Sequence, residues 1–348
     1  MDRRDFLLTA GGAPLVLAGN VWAKVRDDEA RLLVIIDFVG GNDGLNTVIP
    51  FADPSYRMLR PAIAVACSDV LPVSSGQGLH PALRDIMPLW QAGELAIVQG
   101  VGSPLASLSH HRAAEIMDSA AFEDEPGRHG WLGRSLHFHS RRAQREPQVL
   151  LARAELPGPL YGARRCVPLD AAMAGEGRDA CARLGFPEGE LGGALARACA
   201  ALANGAYVSV IHASLHGFDT HENQPAEHAR LLLECARSIS ALRRFLQAAG
   251  RWDDTLVMTR SEFGRRAYEN LSAGTDHGAA SVQFLAGGRI CGGLHGTAPD
   301  LLALDARGGL RASTDFRSVC AAVAQQWLGL DATAVFPDVH PVGGLIRA

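Results

Sequence analysis

Apolar positions along this chain fall into two alternating kinds of run. The first kind is short and nearly continuous. Residues 31–38, Arg-Leu-Leu-Val-Ile-Ile-Asp-Phe, form a β-branched stretch bounded by Gly40-Gly41, the pattern of a strand buried on both faces. Similar short runs at 95–98, 207–212, 255–259 and 282–285 predict four more strands. The second kind repeats at helical spacing. Leu83, Ile86, Leu89 and Trp90 mark a helix over 81–92 with Gly93 as its C-cap, and Ser109 stands as N-cap to a helix over 110–120. Helices are also predicted over 191–203, 225–248 and 315–328. Strands separated by helices of this length imply βαβ units, hence an α/β fold with a mainly parallel sheet covered by helices on both faces. The region 122–189 is rich in Arg, Gly and Pro and weakly periodic. It reads as an insertion or cap with short elements, including Gly130-Trp131-Leu132-Gly133-Arg134.

The N-terminus follows a different rule. Arg3-Arg4 precedes Phe6-Leu7-Leu8, and the apolar stretch 7–19 is too short to cross a bilayer and is broken by Gly11, Gly12 and Pro14. Val21-Trp22-Ala23 offers small residues before a cut ahead of Lys24. Residues 1–23 therefore read as a twin-arginine signal, which implies the translocase as a partner during export and a periplasmic or secreted destination. Residues 24–348 are left as one α/β domain, with no transmembrane span expected in the mature chain.

Composition narrows the function classes. A net charge of −4 with no Lys/Arg block argues against nucleic acid. The seven cysteines are scattered without C-x-x-C, and several sit at apolar helical positions. Buried free thiols are expected, with a Cys166–Cys181 pair as the alternative. No G-x-G-x-x-G follows the first strand, which disfavours a nicotinamide enzyme.

Polar clusters follow the apolar runs. Asn42-Asp43-Gly44, Ser109-His110-His111, Asp219-Thr220-His221 and Ser261-Glu262-Phe263-Gly264 come after strands, and Thr275-Asp276-His277-Gly278 precedes the last one. Ligands of open α/β sheets bind beyond the carboxyl ends of the strands, so these carboxylates, imidazoles and a hydroxyl would converge there. That inventory suits one or two divalent metal ions (Zn, Mn, Mg or Ca) with a nucleophile nearby. Each motif has a plainer reading as well. Asp43 would suit a turn, Ser109 a helix cap, Glu262 an ion pair with Arg265 or Arg266, and Asp276 a hydrogen bond to His277.

The order of these motifs resembles that of the alkaline phosphatase and sulfatase superfamily. More closely, Gly41-Asn-Asp-Gly-Leu-Asn-Thr-Val48, Phe218-Asp-Thr-His221, Ser261-Glu-Phe-Gly-Arg265 and Gly274-Thr-Asp-His-Gly278 resemble domain-of-unknown-function family 1501. The resemblance implies a three-layer, alkaline-phosphatase-like fold and a site built from Asp43, Asp219, His221, Glu262, Asp276 and His277 as metal ligands. Ser109 would be the nucleophile, with His110 beside it. Two departures stand out: Asn223 occupies the histidine place of the Asp-x-x-x-His motif, leaving His221 instead, and Ser261-Glu262 replaces an Asp-His pair. The functions implied are a metal-dependent hydrolase of small anionic phosphate or sulfate esters, or a non-catalytic binding or assembly protein that retains the fold with a degenerate metal site.

Overall fold

Nine strands make the central sheet of the computed structural model, which describes residues 31–103, 107–121, 129–140 (side chains to 136), 149–151, 158–163, 166–169 and 184–347. The signal segment, Cys181 and parts of the expected insertion lie outside these residues. The strands are β1 (Leu32–Val39), β2 (Leu95–Gly102), β3 (Val149–Leu151), β4 (Cys166–Pro168), β5 (Val210–His216), β6 (Thr255–Ser261), β7 (Ala280–Ala286), β8 (Gly293–His295) and β9 (Thr314–Asp315). Their order is β8-β2-β7-β6-β1-β5-β3-β4, with β9 also pairing with β2. All pairings are parallel except those of β7, which runs antiparallel to both β2 and β6.

β1 shows why the sheet needs cover on both sides. Leu32, Val34, Ile36 and Phe38 point into one apolar layer, and Leu33 and Ile35 into the other, as strand alternation dictates. The helices that supply the cover are α1 (Gly44–Thr47), α2 (His110–Ser119), α3 (Trp131–Ser140), α4 (Glu190–Ala203), α5 (Gln224–Ala248) and α6 (Phe316–Ala322). α4 and α5 close the first face, through residues such as Leu195, Leu232 and Leu242. α2, α3 and α6 close the second, through Ile116, Leu132 and Val319. The result is the expected three-layer α/β arrangement. Among the described residues, no helix is long and apolar enough to cross a membrane.

Several boundaries differ from the sequence reading. The middle strand runs to His216 instead of His212, and β6 continues through Arg260 to Ser261. The polar residues that seemed to end these strands are accommodated inside the sheet: Asp37 lies opposite Arg260 across the β1–β6 pairing, and its carboxylate meets His212 from β5. From the region 122–189, residues 149–151 and 166–168 form the edge of the central sheet. The last predicted helix is α-helical only to Ala322, then widens into a π-type turn over Val323–Trp327.

Candidate functional site

The loops leaving β1, β5 and β6 bring the predicted residues together. After β1, Gly40 has φ of +120° and Gly41 +90°, a region open mainly to glycine. A Cβ on Gly40 would lie 2.3 Å from the Asp219 backbone nitrogen, and one on Gly41 2.4 Å from the Phe263 ring. Glycine therefore lets the β1 loop pass directly beneath the two segments that carry Asp219 and Glu262.

Asp219 is the hub. Its Oδ1 is 3.1 Å from His221 Nε2 and 3.1 Å from His277 Nε2, and its Oδ2 is 3.4 Å from His110 Nε2. His221 and His277 also place their Nε2 atoms 2.9 Å apart. Each imidazole is held from behind through Nδ1. The Glu262 carboxylate lies 3.0 Å from His110 Nδ1, the Leu108 carbonyl oxygen 2.8 Å from His277 Nδ1, and Asp276 Oδ1 3.3 Å from His221 Nδ1. Acceptors at all three Nδ1 atoms favour the tautomer that leaves Nε2 unprotonated and facing Asp219.

This donor set fits a metal ion. Ligands at about 2.1 Å around a tetrahedral ion are about 3.4 Å apart, and the Asp219 contacts to His277 and His110, at 3.1 and 3.4 Å, are close to that spacing. His110, Asp219 and His277 have ligand atoms that all lie within 4.8 Å of one another, and they could hold an ion with His221 beside them. Asp219 is suited to the task. Burial alone would raise its carboxyl pKa, but the hydrogen bond and positive charge of Arg265 hold it down at about 2.

The remaining predicted residues stand outside this group. Asp43 is buried, and both of its oxygens are engaged elsewhere: Oδ1 caps α1 by accepting from Leu45 and Asn46, while Oδ2 accepts from Arg60 and Gln224, each at 2.5 Å. Burial raises its carboxyl pKa, yet the Arg60 guanidinium brings the net shift below the ordinary range. Glu262 pairs with neither Arg265 nor Arg266, since its Oε1 accepts the Gly40 N–H at 2.8 Å and faces His110. Asp276 supports His221 rather than His277 and is itself 3.2 Å from Arg266. Ser109 sits exposed at the start of α2, and its side chain makes no cap hydrogen bond.

Sequence reasoning missed Arg265 as a structural centre. Its guanidinium is fully buried and donates to the carbonyls of Gly40, Gly41, Phe218 and Thr275 as well as to Asp219 Oδ1 at 2.6 Å. It also missed the ion pairs of Arg260 with Asp37 and Asp118. Charged residues inside apolar strand runs were the available signal for that second group.

Among curated proteins, none matches the sequence. Among solved structures, the chain is similar to the lipoteichoic acid synthase LtaP from Listeria monocytogenes, at 10% identity over 92% of this chain and 74% of that one, with a TM-score of 0.46. It is similar to the phosphonate monoester hydrolase SpPMH from Silicibacter pomeroyi, at 12% identity over 90% and 76%, with a TM-score of 0.44. The PsFucS1 sulfatase from Pseudoalteromonas sp. gives 11% identity over 95% and 76%, with a TM-score of 0.45. Residues 170–336, which carry Asp219, His221, Glu262, Asp276 and His277, match the model of the protein family of unknown function DUF1501.

Proposed function

We propose that this protein is an exported, metal-dependent hydrolase of phosphate or sulfate esters. The observation that supports this most is the convergence of three imidazole Nε2 atoms on one carboxylate, each ring fixed by an acceptor at Nδ1. Two imidazole nitrogens and one carboxylate, with a third imidazole beside them, suit zinc better than the oxygen-preferring calcium or magnesium. The engagement of Asp43 by Arg60 and Gln224 favours one ion over two. A divalent ion held there supplies a Lewis acid that polarises the ester oxygen and stabilises developing charge.

The chain's own residues supply the rest. Ser109 is the proposed nucleophile: its hydroxyl is exposed, caps nothing, and stands at the N-terminus of the ten-residue α2, where backbone N–H groups favour an anion. His110 then holds the ion, and Glu262 orients it through Nδ1. Arg265 keeps Asp219 ionised and in place. Export by the twin-arginine route, carried by residues 1–23, completes the reading.

Elemental analysis of the mature protein, with assays on nitrophenyl phosphate and sulfate, tests it. The expected outcome is stoichiometric metal and metal-dependent turnover. Combined Asp219→Ala and His277→Ala should remove the metal from a folded protein, and Ser109→Ala should remove turnover. A folded protein without bound metal would sink the site assignment. Metal without turnover would leave the second reading, a fold retained for binding.

A further inference from the structure

A cavity of about 520 Å³ opens where β1, β5 and β6 end, with α2 forming one wall. Besides His111, His216 and Ser261, two clusters of ionisable side chains line it. His110, Asp219 and Glu262 belong to the proposed metal site, whereas Asp37, Asp118 and Arg260 do not. His110 and Asp118 are eight residues apart on α2, about 12 Å along the helix axis. Between them the helix presents His111 beside His110, then Ala114 and Met117. An ester bound at His110 would therefore place its organic part along an apolar wall that ends at Asp118.

The charge balance at that far end is uneven. Arg260 is 8% exposed and grips Asp37 through two contacts, Nε to Oδ1 at 2.5 Å and Nη2 to Oδ2 at 2.8 Å. The same Nη2 donates to Asp118 Oδ1 at 2.6 Å. One guanidinium thus serves two carboxylates. Among the described residues, Asp118 Oδ2 accepts no hydrogen bond, although Asp37 has a further partner in His212 at 2.8 Å. Burial pushes the Asp118 carboxyl above its ordinary value despite Arg260. A carboxylate so placed is stabilised by any donor or positive charge that enters the cavity.

We propose that this cavity receives the organic part of the substrate, and that Asp118 and Asp37, clamped by Arg260, form a subsite for a cationic amine at the end away from His110. An ammonium brings three donors and a second positive charge beside Arg260, and the clamp fixes both acceptors before the ligand arrives, which lowers the cost of ordering them. An anionic tail would meet two carboxylates instead. This inference rests on the reading of the histidine cluster as an ester site and names the class of ester: an amino-alcohol derivative.

Calorimetric titration of the zinc-loaded mature chain with aminohexyl phosphate and carboxypentyl phosphate tests it, because the two ligands are of similar length and differ in terminal charge. The amine should bind at least about tenfold more tightly. Asp118→Asn should shrink that ratio to within about threefold while zinc content stays unchanged. Equal binding, or preference for the carboxylate, in the unsubstituted protein would overturn the proposal whether or not the variant folds. Loss of the ester reading has a different signature: neither phosphate is turned over while the amine preference persists. Butylamine, which has no phosphate, covers the case of a metal-free protein. Saturable binding that Asp118→Asn weakens supports the subsite, and absence of binding removes it.

Discussion

At the scale of single residues, Arg265 does what several ligands would otherwise have to do separately. It bridges the β1 loop, the β5 loop and the segment that leads to His277, and among the described residues its only carboxylate partner is Asp219. Arg265→Ala would take this donor from the carbonyls of Gly40, Gly41 and Thr275, while Phe218 keeps the Thr220 N–H, and would leave Asp219 without its counter-charge. Because the Asp219 carboxylate is 47% exposed, loss of the pair costs less than the about 3–5 kcal/mol of a fully buried one, and loss of support behind a metal ligand lowers affinity about 10–100-fold. Arg265→Lys, which keeps the charge but loses the planar fork, should fold and still bind zinc more weakly. Competition with a chromogenic chelator measures this, and wild-type affinity in a folded Lys variant would show that charge alone suffices. The identity of this residue was visible in Ser261-Glu-Phe-Gly-Arg265, but its task was not. Its partners are mostly backbone carbonyls from distant segments, and backbone carbonyls leave no trace in a sequence. The histidines were legible for the opposite reason, because a ligand must be a particular side chain.

At the scale of elements, the apolar runs revealed where strands begin better than where they end. Asp37, His212 and Arg260 interrupt three runs, yet each is inside a strand, because the three strands are adjacent and the interrupting groups satisfy one another. A polar residue in a buried strand is tolerated when its partner occupies the neighbouring strand, and that neighbour relation depends on sheet order. Sheet order is not encoded locally: β1 pairs with β5 and β6, both more than 150 residues away. If the network holds these strand ends, Arg260→Leu should destabilise the fold by about 3–5 kcal/mol, since it leaves Asp37 and Asp118 buried without a cation. Urea unfolding monitored by tryptophan fluorescence would show it. A loss below about 1 kcal/mol would mean that the carboxylates find water or protons cheaply, as surface groups do.

At the scale of the whole molecule, three layers were readable because their cause, apolar cover on both faces of the sheet, is itself a sequence property. What was not readable is a second polar core on the first face. His80 and His228 are both buried, 6.0 Å apart edge to face, and join the polar cluster around Asp43 to the helical cover. His80 Nδ1 accepts the Ala82 N–H at 3.1 Å, capping the turn that follows, while His228 Nε2 lies 3.0 Å from Asn42 Oδ1. Burial lowers both imidazoles to about 4, against 6.5 when free. Between those values the unfolded chain binds protons that the folded chain refuses. The stability the two histidines contribute is therefore complete above pH 6.5 and is lost as pH falls toward 4, by roughly 3 kcal/mol at most for each. Asp43, whose carboxyl is lowered, keeps its contribution through that window and loses it only under more acidic conditions. Urea midpoints measured across this range in the presence of a chelator, so that the metal-site histidines do not couple to ion release, should fall steadily. The combined variant His80→Gln and His228→Gln should be less stable at pH 7 but nearly flat between pH 6.5 and 4. A slope unchanged from the parent protein would place the acid sensitivity elsewhere than in this buried pair.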